Sequence, residues 1–528
     1  MSRWLHLSKE ARNDCVRPCG AATAAGLFGL VLLCPVPGWG QSQLASQSVS
    51  QSQAQSGSQP PKPDSTQTTK HKLGPLEISG NWRVRVEGWD WFEGNSGQNS
   101  YAFPHSLLRV AIGQESKRLD WQVEAAQDAI LLLPRNAVVA APQGQLGPGG
   151  TYYAANGNGR NNVNAFVKQA YVQINHLGQG RLKLGRFEYF DGAEVKPKDA
   201  TLAAIVQTRI AQRLIGNFSF SAVQRSYDGA QFHYALGKGD VTVFGARTTR
   251  GVYQIDGMGE LDVDVYYGAL TLPTGAEHSA GELRLFGLGY IDHRTSVLKT
   301  DNRPQAARSA DHGEIQIGTY GGDYLHVFNT GTTGKFDFFV WGAVQTGAWG
   351  RLTQRAGAFV GEFGWQPPVK TLKPWLSAGY SYGSGDGNSS DSVHGTFFQV
   401  LPTPRLYART PFYNMENNED FYGSLNLRPH SKLALRSELH ALRLSSRNDL
   451  WYLGGGAFQP HTFGYTGRPS NGNRSLANVW DLSADYQATR TFAVGLYYGH
   501  AWGKAVIASI YPKDPNGQLA YVETNLRF

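Results

Sequence analysis

The chain has 528 residues, 41% hydrophobic and 17% charged, with 63 glycines and a formal net charge of +8. So mild a surplus on so long a chain argues against a nucleic-acid partner. All three cysteines, Cys15, Cys19 and Cys34, fall near the start, so the remainder has no thiol chemistry, no disulfide frame and no Cys-bearing metal site.

In chain order, Arg3, Lys9, Arg12 and Arg17 form a basic lead-in to the apolar run "AATAAGLFGLVLL" at 21–33. A membrane helix needs about 20 apolar residues, so this shorter run reads as the core of a secretory signal peptide spanning 1–40, cleaved before Gln41 with Gly38 and Gly40 as the small residues. Leu33 before Cys34 is bulkier than a lipoprotein signal wants. Residues 41–76 are dominated by Gln, Ser, Pro and Thr, too few apolar groups to offset ordering entropy, and read as a disordered linker. From 77 to 528 the composition turns to Gly and aromatics with no further linker, which reads as one domain.

Across 77–528 the periodicity is two. "EISGNWRVRVEGWDW" (77–91) sets Ile78, Trp82, Val84 and Val86 against Arg83, Arg85 and Glu87. "ELDVDVYYGAL" (260–270) sets Leu261, Val263, Val265 and Tyr267 against Asp262 and Asp264, and "KLALRSELHAL" (432–442) sets Leu433, Leu435 and Leu439 against Arg436, Glu438 and His440. "TFAVGLYYG" (491–499) sets Phe492, Val494, Leu496 and Tyr498 against small residues. Side chains alternate across a strand, and runs of about 10 residues suit tilted membrane strands. Short connections at 114–118, 176–180, 237–240, 428–431 and 487–490 alternate with long polar ones at 134–162, 191–224, 292–312, 385–417 and 446–475. This is the rhythm of a transmembrane, antiparallel, up-and-down β-barrel with short periplasmic turns, long extracellular loops and about 18 strands, 16 being the alternative. The chain closes on "QLAYVETNLRF": Phe528, Leu526, Thr524 and Val522 alternate with Arg527, Asn525, Glu523 and Tyr521. In a barrel the apolar stripe meets lipid, and Phe528, Leu526 and Val522 form the expected membrane-insertion signal.

Several stretches resemble the alginate export family of outer-membrane barrels. They are "WRVRVEGWDWF" (82–92), "AFVKQAYVQI" with "LKLGRFEYFDGAEV" (165–174, 182–195), "RSYDGAQFHY" (225–234), "YGSGDG" with "GTFFQVLPT" (382–387, 395–403) and "NVWDLSADY" (478–486). Val479 and "GHAWGK" (499–504) depart from the pattern. The resemblance implies an 18-stranded barrel that passes a linear anionic polysaccharide; fold alone does not fix the solute.

Read with inward parity, the candidate pore-lining residues are Arg83, Arg85, Glu87, Lys183, Arg186, Asp262, Asp264, Arg436, Glu438, His440 and Asp481, a wall of mixed charge. Arg83, Arg85 and Arg436 are the candidates for a selective constriction. "GYSYG" (379–383) matches the G-x-S-x-G elbow, but it lies within an alternating strand rather than a strand-to-helix turn. Arg436, Glu438 and His440 share a face and read as a hydrogen-bonded wall network, with an acid–base site of an outer-membrane hydrolase as the enzymatic rival. "GSGDGNSSD" (383–391) lacks the carboxylate spacing of a calcium loop. The expectation is therefore a channel, not an enzyme, with no cofactor and no metal. It would sit in the outer membrane and pass polar, anionic oligo- or polysaccharide by passive diffusion; a general porin is the alternative. The expected partners are outer-membrane lipid, the barrel-assembly machinery and the saccharide.

Overall fold

The computed structural model describes residues 70–528. The expected signal peptide, and the linker up to residue 69, lie outside these residues. Part of the stretch read as linker is structured: His71–Leu73 forms a short strand folded back on Leu76–Ile78.

Eighteen antiparallel strands close into a barrel. They are β1 (Leu76–Asp90), β2 (Ser100–Gln114), β3 (Leu119–Ile130), β4 (Asn162–Leu177), β5 (Gly180–Phe187), β6 (Tyr227–Leu236), β7 (Gly239–Thr249), β8 (Glu260–Thr274), β9 (Ser279–Asp292), β10 (Ile315–Asn329), β11 (Lys335–Trp349), β12 (Leu352–Gln366), β13 (Trp375–Gly383), β14 (Asn418–His430), β15 (Leu433–Arg443), β16 (Ser475–Gln487), β17 (Phe492–Gly503) and β18 (Asn516–Arg527). Each pairs with its sequence neighbour, and the seam is β1 against β18, from Asn81 opposite Arg527 to Asp90 opposite Gln518. Among the described residues no helix is long and apolar enough to cross a membrane. The strands do the crossing instead, because closure pairs their backbone polar groups without water.

The last residue finishes that closure. Phe528 N–H donates to Gly80 O at 3.0 Å, and Gly80 N–H donates to Phe528 O at 2.6 Å. The Phe528 ring lies where a Cβ on Gly80 would stand, 2.3 Å from that point, so Gly80 is the residue that lets the ring settle on β1. Leu526 and Phe528 are exposed on the outer face, while Tyr521 and Leu519 face in. The same outer face carries exposed apolar side chains around the barrel, among them Trp82, Val172, Val243, Leu285, Val344 and Leu439, as a lipid contact requires. Aromatic rings gather at the turn end, where Phe336 stacks on Trp365 at 6.2 Å and His326 lies 4.4 Å from Phe328.

The long connections fall where the alternation placed them, at 131–161, 188–226, 293–314, 384–417 and 444–474. They fold into the lumen rather than away from it. Connections 188–226 and 384–417 are joined by backbone bonds: Leu401 N–H to Leu214 O (2.8 Å), Gly216 N–H to Leu401 O (2.9 Å) and Thr403 N–H to Gln212 O (2.9 Å). Asp191 caps the same junction, its Oδ1 accepting from the N–H groups of Leu214 and Ile215. This plug packs against the inner faces of β6 to β12 in an apolar cluster that includes Ile205, Leu214, Val263, Tyr290, Trp341 and Phe398.

That packing overturns one reading of parity. Asp262 and Asp264 do not line the lumen. On β8 the apolar residues Val263, Val265 and Tyr267 point inward onto the plug and are buried, and Tyr189 of the plug meets the Tyr267 ring at 5.8 Å. Asp262 and Asp264 therefore face outward at the loop end, where Arg247 and His293 pair with them. Arg186 is likewise on the outer face: it stands opposite Asp228 across β5 and β6 and forms an ion pair with it, while Phe187 and Tyr227 beside them turn inward.

Deleting Phe528 removes two backbone hydrogen bonds, about 1 kcal/mol each, together with the ring cover of the seam. The expected outcome is a severalfold smaller heat-modifiable, folded fraction in outer-membrane preparations, and the same for Phe528→Asp. Normal yield of either variant would refute a role for the terminus in insertion.

Candidate functional site: a basic cavity in the lumen

Where the plug leaves room, a cavity of about 430 Å³ opens between it and the opposite wall. That wall is built from β14 to β18 and β1, near their turn ends. Eight of the lining side chains are cationic and two are acidic, Asp485 and Glu523. The cations come from three sources: Arg83, Arg85, Arg436 and Arg527 from strands, Arg428 and Lys432 from either side of a turn, and Arg405 and Arg409 from connection 384–417.

The structure thus brings Arg83, Arg85 and Arg436 to one cavity, but it gives them different work. Arg83 donates to the backbone oxygens of Ser219, at 2.6 Å, and Ser221. Arg85 donates to Phe220 O at 2.8 Å and is paired with Glu523 and Glu87. The two arginines hold the plug to the wall by its carbonyl groups, which would otherwise be buried and unsatisfied. The Phe220 ring between them and the next loop is held on both sides, with the Arg85 guanidinium 3.8 Å and the Arg405 guanidinium 3.4 Å from its centroid. Such contacts are worth about 0.5–2 kcal/mol each, and here they join a strand and two loops through one ring.

Arg405 lines the cavity without an ion pair among the described residues. It is 5% exposed, its Nε donates to Arg409 O at 2.8 Å, and its Nη2 has no hydrogen-bond partner among the described residues. Arg409 donates to the Tyr521 hydroxyl at 3.0 Å and lies 4.0 Å from Asp485. A low-dielectric wall screens such charges less than bulk water does.

Glu438, His440 and Asp481 meet on the inner faces of β15 and β16, with one ligand atom of each within 4.8 Å of the others. Their oxygens are already engaged: Glu438 by Arg209 at 2.6 Å and by Arg436, Asp481 by the Tyr497 hydroxyl and by the Arg409 N–H at 3.0 Å. His440 Nδ1 lies 2.7 Å from Asp420. A divalent ion here would face two guanidinium groups, so the donor set fits a wall network rather than a metal. Ser381 of the G-x-S-x-G stretch sits mid-strand on β13, its Oγ 3.3 Å from the Tyr413 hydroxyl, with no helix following it. Glu87 faces in but is enclosed by His105 (2.9 Å), Arg85 and Trp89. Lys183 faces in on the far wall, 4.4 Å from the Tyr171 ring, and does not reach the cavity.

Five cavity cations lay outside the sequence expectation. Arg527 was legible in the terminal alternation, and Arg428 and Lys432 flank a short turn. Arg405 and Arg409 had no periodic signal, because they sit in an irregular loop whose inward course is set by its pairing with 188–226. With them the lining of this cavity is basic, while the inward wall as a whole, with Glu87, Glu438 and Asp481, is mixed.

A closed barrel with an apolar outside and a charged, cavity-bearing interior is an outer-membrane channel. The chain belongs to the alginate export family, whose sequence model matches residues 56–509. No curated protein matches it. Among solved structures, Acinetobacter baumannii OccAB2 is 9% identical over 86% of this chain and 98% of its own, with a TM-score of 0.51. Pseudomonas aeruginosa OccK9 (OpdG) is 10% identical over 86% and 98%, with a TM-score of 0.48.

If the β1 arginines serve as anchors, Arg83→Gln loses charge-assisted bonds worth about 1.5–3 kcal/mol each. The expected result is faster proteolysis of 217–226 and noisier single-channel current, with ion selectivity little changed. Limited proteolysis alongside bilayer recording would show it, and an Arg83→Gln protein with quiet current and intact protection would not fit.

Proposed function

We propose that this protein is a passive channel for polar, anionic oligo- or polysaccharide. The observation that carries the reading is the turn-side cavity, with eight cationic and two acidic lining residues. A polyanion threading past it exchanges one guanidinium contact for the next, so it can be attracted without being trapped, which conduction requires. The family supports a saccharide as the solute, and the plug supports selectivity over bulk leakage, because it fills the part of the lumen along β6 to β12. No step of bond making is called for: Glu438, His440 and Asp481 are held by one another's neighbours and by arginines, not poised on an open face.

The test is the reversal potential of the purified channel in planar bilayers across a KCl gradient, with liposome swelling in sugars of graded size and charge beside it. The wild type is expected to prefer anions and to admit uronate oligomers better than neutral ones of equal length. Arg405→Gln with Arg409→Gln removes two charges of about 1 kcal/mol each or more at contact, so anion preference should fall about fivefold or more. An unchanged reversal potential would sink the anionic reading, and swelling governed by size alone would favour a general porin.

A further inference from the structure

Arg468 stands apart from every network described above. It belongs to a small ribbon, Leu450–Leu453 paired with Thr466–Pro469, within connection 444–474. It is 6% exposed, and among the described residues its guanidinium makes no hydrogen bond and no ion pair; its Nε is a buried donor without a partner. A buried cation without a counter-charge is costly to keep; Arg209 and Arg284 are matched by carboxylates, and Arg213 and Arg225, which are not, donate to backbone oxygens instead, whereas Arg468 does neither.

Arg468 lines a second cavity, of about 170 Å³, on the loop side of the lumen. Arg468 is the only charged side chain among the described residues that line it. The rest of the lining is neutral, with the rings of Trp91, Tyr253 and Phe463 and the amide of Gln145. Thr462 at its rim is exposed, so the cavity opens outward. It is small against the usual ligand pocket of about 300–1,000 Å³ and takes one ring rather than a chain. The segment that bears Arg405 and Arg409 separates it from the basic cavity, for Pro411 lines the loop side and Leu406 the turn side.

One unpaired guanidinium beside aromatic faces asks for one carboxylate on a ring. The carboxylate satisfies the guanidinium through short, charge-assisted bonds, and the ring's C–H face or π face covers the aromatic side chains. A neutral sugar leaves Arg468 unpaired, and a phosphate dianion would meet a single cation. We propose that the loop-side cavity binds a single ring bearing one carboxylate, a hexuronate unit, with Arg468 as its counter-ion. The inference builds on the reading of the protein as an anionic-saccharide channel and adds to it a loop-side site for one unit, separate from the basic cavity, where many charges meet many cations.

Side-specific block of the channel current tests it. Glucuronate, glucose and benzoate are added in turn to the loop side or the turn side of the full-length channel in a planar bilayer. Glucuronate from the loop side is expected to block, glucose to block at least about tenfold less. Arg468→Gln should raise the blocking concentration about tenfold or more from the loop side only, and Arg468→Lys should restore part of it. The Arg405→Gln, Arg409→Gln pair should leave loop-side block in place. Heat-modifiable mobility on gels checks that each variant is folded; Arg468→Gln is expected to fold at least as well as wild type, since it removes an uncompensated charge. Undiminished loop-side block in a folded Arg468→Gln channel overturns the proposal. Block by benzoate but not glucuronate would uphold a carboxylate site at Arg468 while refuting the saccharide reading, whereas the reversal potential tests the basic cavity independently.

Discussion

A backbone N–H or C=O in hydrocarbon has no water to turn to, and the rest of this architecture follows from satisfying those groups. A strand sheet achieves it only when its two edges meet. Here they meet along β1 and β18, and the meeting runs to the final residue, where Phe528 and Gly80 exchange backbone bonds. Closure also fixes the traffic of the barrel: its first strand starts and its last strand ends on the turn side, and the long connections fall at the other.

An 18-stranded ring encloses more space than its inward side chains fill, and the long connections occupy it. They do so unevenly. Against β6 to β12 the plug makes an apolar core much like that of a soluble domain. Against β14 to β18 and β1 it meets a polar wall across a gap. The result is an eccentric passage with one face of barrel strand and one face of loop, and each face contributes arginines. Those on β1 are spent on holding the loop in place; those on the loop face the gap. The same residue type thus serves construction on one side and selection on the other, and its partners decide which.

The period-two pattern made the barrel, its strand number and the ends of most strands readable, because lipid and lumen impose opposite demands on alternate residues. It failed where that opposition lapses. On β8 both faces meet something: Val263 and Val265 meet the plug, while Asp262 and Asp264 reach the charged rim above the apolar band. Apolar then no longer means outward. Arg186 fails for the same reason on β5. Arg405, Arg409 and Arg468 lay beyond any periodic reading, since an irregular segment carries no parity and its place in the lumen depends on contacts hundreds of residues away in sequence. Glu438 and His440, by contrast, were placed correctly on the inner face by alternation alone, though not their partner Arg209, which the plug supplies.

The connection between β11 and β12 is only two residues, 350–351, at an end of the barrel where its neighbours run far longer. Both strands have 15 residues, a ribbon of about 50 Å at ~3.3 Å per residue, well over what the apolar band alone demands. The mouth is therefore asymmetric in stiffness: a tall, paired ribbon stands on one side and irregular canopy on the other. Evolutionary drift should respect that division. Insertions and deletions among homologues should gather in 131–161 and 444–474, where loop backbone tolerates added length. The ribbon's tip, turned tightly through Gly347 and Gly350 at positive φ, should keep its length.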